Sequence, residues 1–438
     1  RARLYHCPAD HAPRTSEPLT TINPVEHTVG GLPITCSALR DHRYHDLLAR
    51  RSVRVRLDLT PTVQRHAGVG RYAEELARAL LRLESEVDVC LFYTDRLGRH
   101  PADPLCTLPG KSVRWDNKPW RLSALLSQYT WVPMDSLVGD ADIFHATDHL
   151  LPRLRSMRSV FTLHDLSFLT CPETHLPANR WFLRIAVPVF VRRADAVICI
   201  SEHTRRDAVQ HYGLDETKVF VVPEGVDDRF RPVSDEQVAA IRARYSLPED
   251  YILFVGTIEP RKNLIALLEA FRALRSEGRE ERLVIVGRKG WLHGATFARV
   301  RELGLEGEVQ FPGYVADEDL PALYRAASVF AFPSLYEGFG LPPLEAMSCG
   351  TPVVCSDSSS LPEVCGDAAI LVAPRDIRGL TGALRRVLDD TALQRDLRER
   401  GVRQAAKFSW RHAATSTVSI YRTIIERATA TATRREPR

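Results

Sequence analysis

Two carboxylates eight positions apart, Glu337 and Glu345, flank the loop in SLYEGFGLPPLEAM, and a cationic pair, Arg261 and Lys262, stands in GTIEPRKNL. A fixed carboxylate can accept both hydroxyls of a ribose, and adjacent cations beside a helix start suit a diphosphate. Pro342 and Pro343 fit a first helical turn, where the missing proline donor costs nothing. That reading puts Glu345 in the opening turn and exposes the amides around Gly338, Phe339, Gly340 and Leu341. Glu337, earlier in the same loop, can reach a second hydroxylated ring. The spacing therefore suits two sugars joined by phosphates, a nucleotide sugar. Glu345 alone would be explained by helix-start electrostatics.

Other strand ends carry further candidates. Gly256 and Thr257 follow the apolar run YILFV, and Asn263 is the expected N-cap of the helix after Arg261 and Lys262. A solvated, capped turn is the competing reading there. TLHDLSF puts His164 and Asp165 at the end of an apolar run. His164 could bond a sugar hydroxyl or shuttle a proton near pH 7, or it could be a structural histidine. His145 and His149 lie near another strand end as secondary candidates. GVGRY, with Gly68 and Gly70, suits either a helix-start anion site or a tight strand-to-helix turn. It is not the full dinucleotide fingerprint, because Ala73 stands three positions after Gly70.

The elements that must position these residues alternate regularly. VRVRLDL (53–59), VDVCLFY (87–93), DIFHAT (142–147), SVFTLHD (159–165), DAVICIS (195–201) and KVFVVPEG (218–225) read as strands separated by helical stretches. A polar, proline-containing stretch, PEGVDDRFRPVSDEQ, reads as a linker. YILFVG (251–256), RLVIVG (282–287), VQFPG (309–313), SVFAFPS (328–334) and TPVVCS (351–356) begin a second series. Helices are expected over 376–390 and 391–406, then a long one from FSWRHAATSTVSIYRTIIERATA. The fold class is α/β: two doubly wound, Rossmann-like domains facing a cleft. The expected organisation is a poorly ordered extension over 1–50, an N-terminal domain over 51–225 and a C-terminal domain over 226–410. Residues 411–438 form a helix returning to the N-terminal domain, with a frayed tail.

At 438 residues the chain is long enough for two domains of ordinary size. A net charge of +4 is compatible with an anionic ligand or weak attraction to acidic lipid, but it is no nucleic-acid signature. Nine cysteines, odd in number and without a C-x-x-C pair, argue against a disulfide framework or zinc site. With no apolar segment of membrane-spanning length or signal-peptide character, the expectation is a cytoplasmic protein.

The wording GTIEPRKNL, VGRKGWL, FPGYVADEDLPALYRAASVFAFPSLYEGFGLPPLEAMSCGTPVV and SSSLPEVCGDAA resembles the retaining nucleotide-sugar glycosyltransferases of family four. These have the two-domain GT-B architecture, and the likeness is to their mannosyltransferase branch. It covers roughly residues 51–425, and residues 1–50 lie outside it. The resemblance implies that Glu337 holds donor hexose hydroxyls and Glu345 the ribose. Phe339, Gly340 and Leu341 amides would meet the donor, Arg261 and Lys262 would neutralise its diphosphate, and Gly70 would approach that group from the other domain. His164 would sit beside hexose and acceptor. Thr257 departs from the arginine many relatives place there, which shifts leaving-group stabilisation to Arg261, Lys262 and helix dipoles.

The implied activity is transfer of a hexose, mannose by resemblance, from a donor such as GDP-mannose to a hydroxyl of a glycan or lipid-linked acceptor. No cofactor and no metal is expected, since no D-x-D signature ends a strand. An epimerase of the same fold would convert donor without acceptor, and a silent nucleotide-binding protein would bind it only. The stretch KPWRLSALLSQYTWVPMDSL (118–137) could be an amphipathic face for a lipid-linked acceptor or a core-packing helix. Peripheral contact with the inner face of a membrane stays open on that reading.

Overall fold

The apolar runs form two separate parallel sheets. In the computed structural model, which describes residues 52–83 and 86–433, the first sheet has seven strands and the second six. The extension read over residues 1–50 lies outside the described residues. The first sheet runs β3 (Gly110–Val113), β2 (Val87–Thr94), β1 (Val53–Asp58), β4 (Ile143–Ala146), β5 (Arg158–Leu163), β6 (Ala196–Cys199) and β7 (Val219–Val221). The second runs β10 (Val309–Gly313), β9 (Arg282–Val286), β8 (Tyr251–Val255), β11 (Val329–Phe332), β12 (Val353–Ser356) and β13 (Ala369–Val372). Strands covered on both faces need continuous apolar sequence rather than alternation. YILFV of β8 and VFAF of β11 are buried at every position.

Both sheets reverse their order of addition once, at β1/β4 and at β8/β11. Connections there leave in opposite directions and open a crevice beyond the strand ends. Arg261 and Lys262 follow β8, and Glu337 follows β11, so both switch-point loops carry charge. In the first lobe the chain after β1 makes a short turn of helix, Thr60–Val63, before the amphipathic helix Gly68–Leu81.

Three local expectations need correcting. β3 and β13, four residues each at sheet edges, were not foreseen because so short a run has no readable period. Helix Asp235–Tyr245 begins within the stretch read as linker, at a capping box between Ser234 and Gln237. GVGRY does not form the turn between a strand and its helix; Gly68 and Gly70 lie within the helix itself.

The chain crosses between lobes twice, and the crossings touch. Val226 bridges Ser409, and the Val226 amide donates to the Phe408 carbonyl at 3.2 Å. The final helix, Trp410–Thr433, then packs against Gly68–Leu81 of the first lobe. Its Tyr421 hydroxyl lies 2.6 Å from His145 Nδ1, and His145 Nε2 lies 2.8 Å from the Thr162 hydroxyl on β5. His145 is therefore a structural linker, and burial pushes its pKa down to about 3.

Gly225 permits the crossing, because a Cβ there would stand 2.1 Å from the Trp410 nitrogen. Gly225→Ala should cost about 1–3 kcal/mol or more in denaturant unfolding, since backbone and not a flexible side chain must move. Gly382→Ala, in helix Ile377–Asp389 with nothing within 4 Å of a new Cβ, should be neutral or gain up to ~1 kcal/mol. Equal effects at both positions would remove the steric account of the crossing.

Candidate active site

The floor of the cleft is a buried charge cluster. A tight turn, Pro260–Lys262, carries Arg261 and Lys262 toward the loop after β11. Lys262 Nζ donates to one Glu337 oxygen at 2.6 Å, and Arg261 Nη1 donates to the other at 2.8 Å. Arg261 also bonds the Tyr336 carbonyl at 2.8 Å and Glu259 at 2.9 Å. Lys262 Nζ sits 5.1 Å from the centroid of the Phe332 ring. Burial alone would raise the Glu337 pKa, but Arg261 and Lys262 override it and hold the carboxyl below its ordinary value. Burial and the Arg261 charge lower Lys262, against the pull of Glu337 and Glu259. The two predicted phosphate-binding cations are thus not free; each is already paired with the predicted sugar-binding carboxylate.

Asn263 adopts a left-handed conformation, φ 55°, and its side chain does not cap the helix Leu264–Ser276. It donates instead to the carbonyls of Pro333 and Pro374, at 3.0 and 2.7 Å. Those bonds tie the β8 turn to the end of β11 and to the chain after β13. Gly256 has φ 156°, a conformation that side chains rarely adopt, and a Cβ on Gly287 would meet the Gly256 carbonyl oxygen at 1.9 Å. Thr257 is partly exposed beside Gly290, where a Cβ would approach its methyl at 2.6 Å.

Three serines, read earlier only as part of a resemblance, shape the acidic loop. Ser359 Oγ accepts from the Glu337 amide at 2.8 Å. The Ser360 hydroxyl donates toward the carbonyls of Glu337 and Phe339, at 2.9 and 2.6 Å, and Ser358 toward those of Ser334 and Leu335. Phe339 is buried and meets the Phe408 ring at 5.6 Å. Gly340 caps helix Leu341–Ser348 at φ 126°, a region closed to most side chains. Pro342 and Pro343 occupy the first turn as expected; Glu345, the fifth residue, lies just beyond it.

Glu345 is buried and engaged on both oxygens. Arg71, from the first lobe, bonds one, and the Tyr324 hydroxyl donates to the other at 2.8 Å. Arg71 also reaches Asp317 at 3.1 Å. Arg71 was missed because it lies in a sequence that reads as an ordinary amphipathic helix. Only its place after Gly70, in GVGRY, marked it. Gly70 itself is required for contact within its own lobe, since a Cβ would approach the Pro61 carbonyl oxygen at 2.9 Å.

The roof comes from β4, β5 and the end of β7. His164 Nε2 lies 2.7 Å from the Thr147 carbonyl, which can only accept, so that nitrogen carries the proton. Its Nδ1 faces Glu224 Oε1 at 4.0 Å, and the Tyr72 ring stands edge-on at 4.9 Å. Burial and neighbouring His149 push His164 down to about 4, so it stays neutral at pH 7 and does not titrate there as expected. His149, with its ring 5.9 Å from His164, has a buried Nδ1 without a hydrogen-bond partner among the described residues. Glu224 was not anticipated, because PEGVDD read as linker. Burial, then Glu345 and Glu337, raise its carboxyl to about 8. Floor and roof meet at Gly338, where a Cβ would stand 2.0 Å from the His164 carbonyl oxygen.

A carboxyl raised from 4.5 to about 8 is stabilising relative to the unfolded chain at low pH, and that advantage fades as pH rises between those values. Glu224→Gln removes the titration. Its stability relative to the parent should therefore increase by about 2 kcal/mol between pH 6 and pH 8, measured by denaturant unfolding. A pH-independent difference would show that Glu224 ionises freely in the fold.

Residues 239–404 match the family Glycosyl transferases group 1, and residues 66–230 match Glycosyltransferase Family 4. The chain is 32% identical over 369 residues to an O-antigen chain mannosyltransferase B of Escherichia coli, covering 81% of this chain and 96% of that one. It is 37% identical over 406 residues to a D-inositol 3-phosphate glycosyltransferase of Kineococcus radiotolerans, covering 82% and 91%. In fold it is similar to a sucrose-phosphate synthase of Thermosynechococcus elongatus, with TM-score 0.66, 22% identity and coverage of 86% and 100%.

Proposed function

This chain belongs to the group 1, family 4 glycosyltransferases, and we propose that it moves mannose, with retained configuration, from GDP-mannose to a hydroxyl of a glycan or lipid-linked acceptor. The observation that carries this reading is the Arg261–Lys262–Glu337 cluster at the β8/β11 switch point, facing a neutral His164 across the cleft. In this scheme residues 226–410 hold the donor and residues 51–225 the acceptor. The mannose assignment draws on the mannosyltransferase relative; the 37% identity to an inositol phosphate enzyme makes a different hexose or acceptor the outcome to test against.

The chemistry follows from charge. As the anomeric carbon–phosphate bond breaks, negative charge grows on the departing diphosphate. Arg261 and Lys262, already held in place by Glu337, are oriented to stabilise that charge. They take the role a metal would otherwise fill, so no cofactor beyond the donor is invoked. A diphosphate drawing on the two cations loosens their hold on Glu337, which then turns its oxygens to hexose hydroxyls. Glu345 exchanges its Arg71 contact for the ribose hydroxyls. Phe339, Gly340 and Leu341 amides, at the start of helix Leu341–Ser348, meet the donor from the same side, with Thr257 and Gly70 lining its approach.

Retention requires the acceptor oxygen to arrive on the face the diphosphate leaves. A covalent alternative would need an ionised carboxylate as nucleophile. In this scheme Glu337 is engaged by the hexose hydroxyls, and Glu224 is protonated over most of the neutral range. The front-face route therefore fits better: the carbon–phosphate bond breaks, the acceptor oxygen–carbon bond forms, and the acceptor proton passes to a donor phosphate oxygen. His164, neutral with Nδ1 unprotonated, accepts a hydrogen bond from a sugar hydroxyl without titrating.

GDP and GDP-mannose should raise the thermal unfolding midpoint more than UDP, ADP or their sugar conjugates do. Preference for UDP or ADP conjugates would keep the transferase but discard the mannose donor. Conversion of donor to an epimer without acceptor would favour an epimerase. Binding without turnover of any donor would favour a silent nucleotide-binding protein.

Lys262→Ala should lower kcat by about 10²-fold or more while leaving a cooperative unfolding transition. Near-parental turnover would remove Lys262 from leaving-group stabilisation. Glu345→Ala should act chiefly on donor KM, and an unchanged KM would cancel its ribose role.

A further inference from the structure

The stretch 118–137 left two readings open, and its helix, Asn117–Ser127, satisfies both. Trp120 and Ala124 are buried in the first lobe. The opposite side carries Leu122 and Leu126, with Tyr129 continuing the stripe beyond the helix, all exposed. Trp131, in the following loop, is 89% exposed. Helix Pro177–Arg193 lies alongside, joined by Arg121, which donates to Asn179 at 2.8 Å and stacks on the Phe182 ring at 4.1 Å. Its own outer stripe bears Trp181 and Ile185, again exposed.

Residues this large and apolar are rarely clustered on a surface without a partner. Charge identifies the partner's chemistry. Residues 117–134 and 177–193 carry six cations, Lys118, Arg121, Arg180, Arg184, Arg192 and Arg193, and no carboxylate. Lys118 lies four positions before Leu122, and Arg184 three after Trp181, so cations share the exposed faces. The flanking acids are occupied: Asp116 pairs with Arg96 at 3.2 Å, and Asp135 accepts the amides of Arg155 and Ser156. An apolar face with tryptophans, on segments that carry cations and no carboxylate, matches the boundary between acyl chains and anionic headgroups.

We infer that the paired faces of Asn117–Ser127 and Pro177–Arg193, with Trp131, form a docking surface for an anionic lipid bilayer. This goes beyond the transferase reading and rests on it only in naming a lipid-linked acceptor as what the surface would bring within reach. Two other occupants fit the charge poorly. A second copy using the same face would oppose cation to cation. Residues 1–51 hold seven arginines against five acidic residues and offer no negative complement. Among the described residues no helix is long and apolar enough to cross a membrane, so contact is through the interface.

Vesicle flotation with the full chain tests this. Vesicles of phosphatidylcholine with about one-third phosphatidylglycerol should bind at least about tenfold more protein than phosphatidylcholine alone, and added salt should reduce the difference. Leu126→Glu with Trp131→Glu should lower binding at least about tenfold, and Lys118→Ser with Arg184→Ser should lower it on anionic vesicles only. The thermal shift given by nucleotide should persist in all variants, which confirms folding and keeps the donor site as a separate question. Equal binding to neutral and anionic vesicles, or binding unchanged by Leu126→Glu with Trp131→Glu, would overturn the inference. So would a dimer, seen by light scattering, that the same double variant dissociates. Loss of nucleotide response with lipid binding intact would instead overturn the donor assignment.

Discussion

A buried carboxylate gripped at both oxygens by two cations governs the rest of the site. Removing Glu337, Arg261 and Lys262 from water is costly, and only close, well-directed pairing offsets that cost. The pairing requires the turn after β8 and the loop after β11 to be neighbours, which the sheet order supplies by placing those strands side by side. It also fixes the loop so that Ser359 and Ser360 can hold its backbone and Gly338 can pass against the first lobe. A lone cation at the same place would be mobile and hydrated. Held by Glu337, the pair is preorganised for a group with more negative charge than one carboxylate.

The two walls of the cleft differ in protonation. The floor is ionised, with Glu337 kept below its usual range by adjacent cations. At the roof His164 is pushed down to about 4 and Glu224 pushed up to about 8, so both are uncharged, while Asp165 is held below its usual range, against its burial, by Arg261 and Ser167. Burial drives the His164 and Glu224 shifts, and it acts in opposite directions because it always disfavours the charged form. In the proposed scheme the leaving group would meet Arg261 and Lys262, while the sugar ring would meet the uncharged His164 and Glu224, which do not compete for the diphosphate.

Much of this was legible in sequence for identifiable reasons. Strands buried on both faces are apolar throughout, so β8, β9 and β11 stand out, and strand ends in doubly wound sheets are where chemistry gathers. Glu337, Arg261, Lys262 and His164 were all found that way. What sequence could not display was pairing across long separations. Nothing local in GVGRY says that Arg71 meets Glu345, which lies 274 positions away. Glu224 hid in a proline- and glycine-containing stretch whose composition signals a linker, though burial gives it an active-site environment. Asn263 had the right residue type for a cap, yet two carbonyls from distant loops outbid the helix amides for its side chain.

The interlobe contacts also constrain how a nucleotide sugar could enter. The final helix is tied to the first lobe through the Tyr421–His145–Thr162 chain, and Tyr72 bonds the same threonine hydroxyl at 3.0 Å. That network anchors β5, which ends just before His164, to the helix carrying Arg71. The two chain crossings between the lobes, at Gly225–Val226 and Ser409–Trp410, are in close backbone contact, so any relative motion of the lobes would hinge there. Opening about that axis must part Arg71 from Glu345 and the Gly338 backbone from His164 together. A ribose on Glu345 and a diphosphate on Arg261 and Lys262 would replace the first contact and leave the second to close over the donor. On that reading closure would exclude water and align His164 together, and a side chain at Gly338 would obstruct it by meeting the His164 carbonyl oxygen.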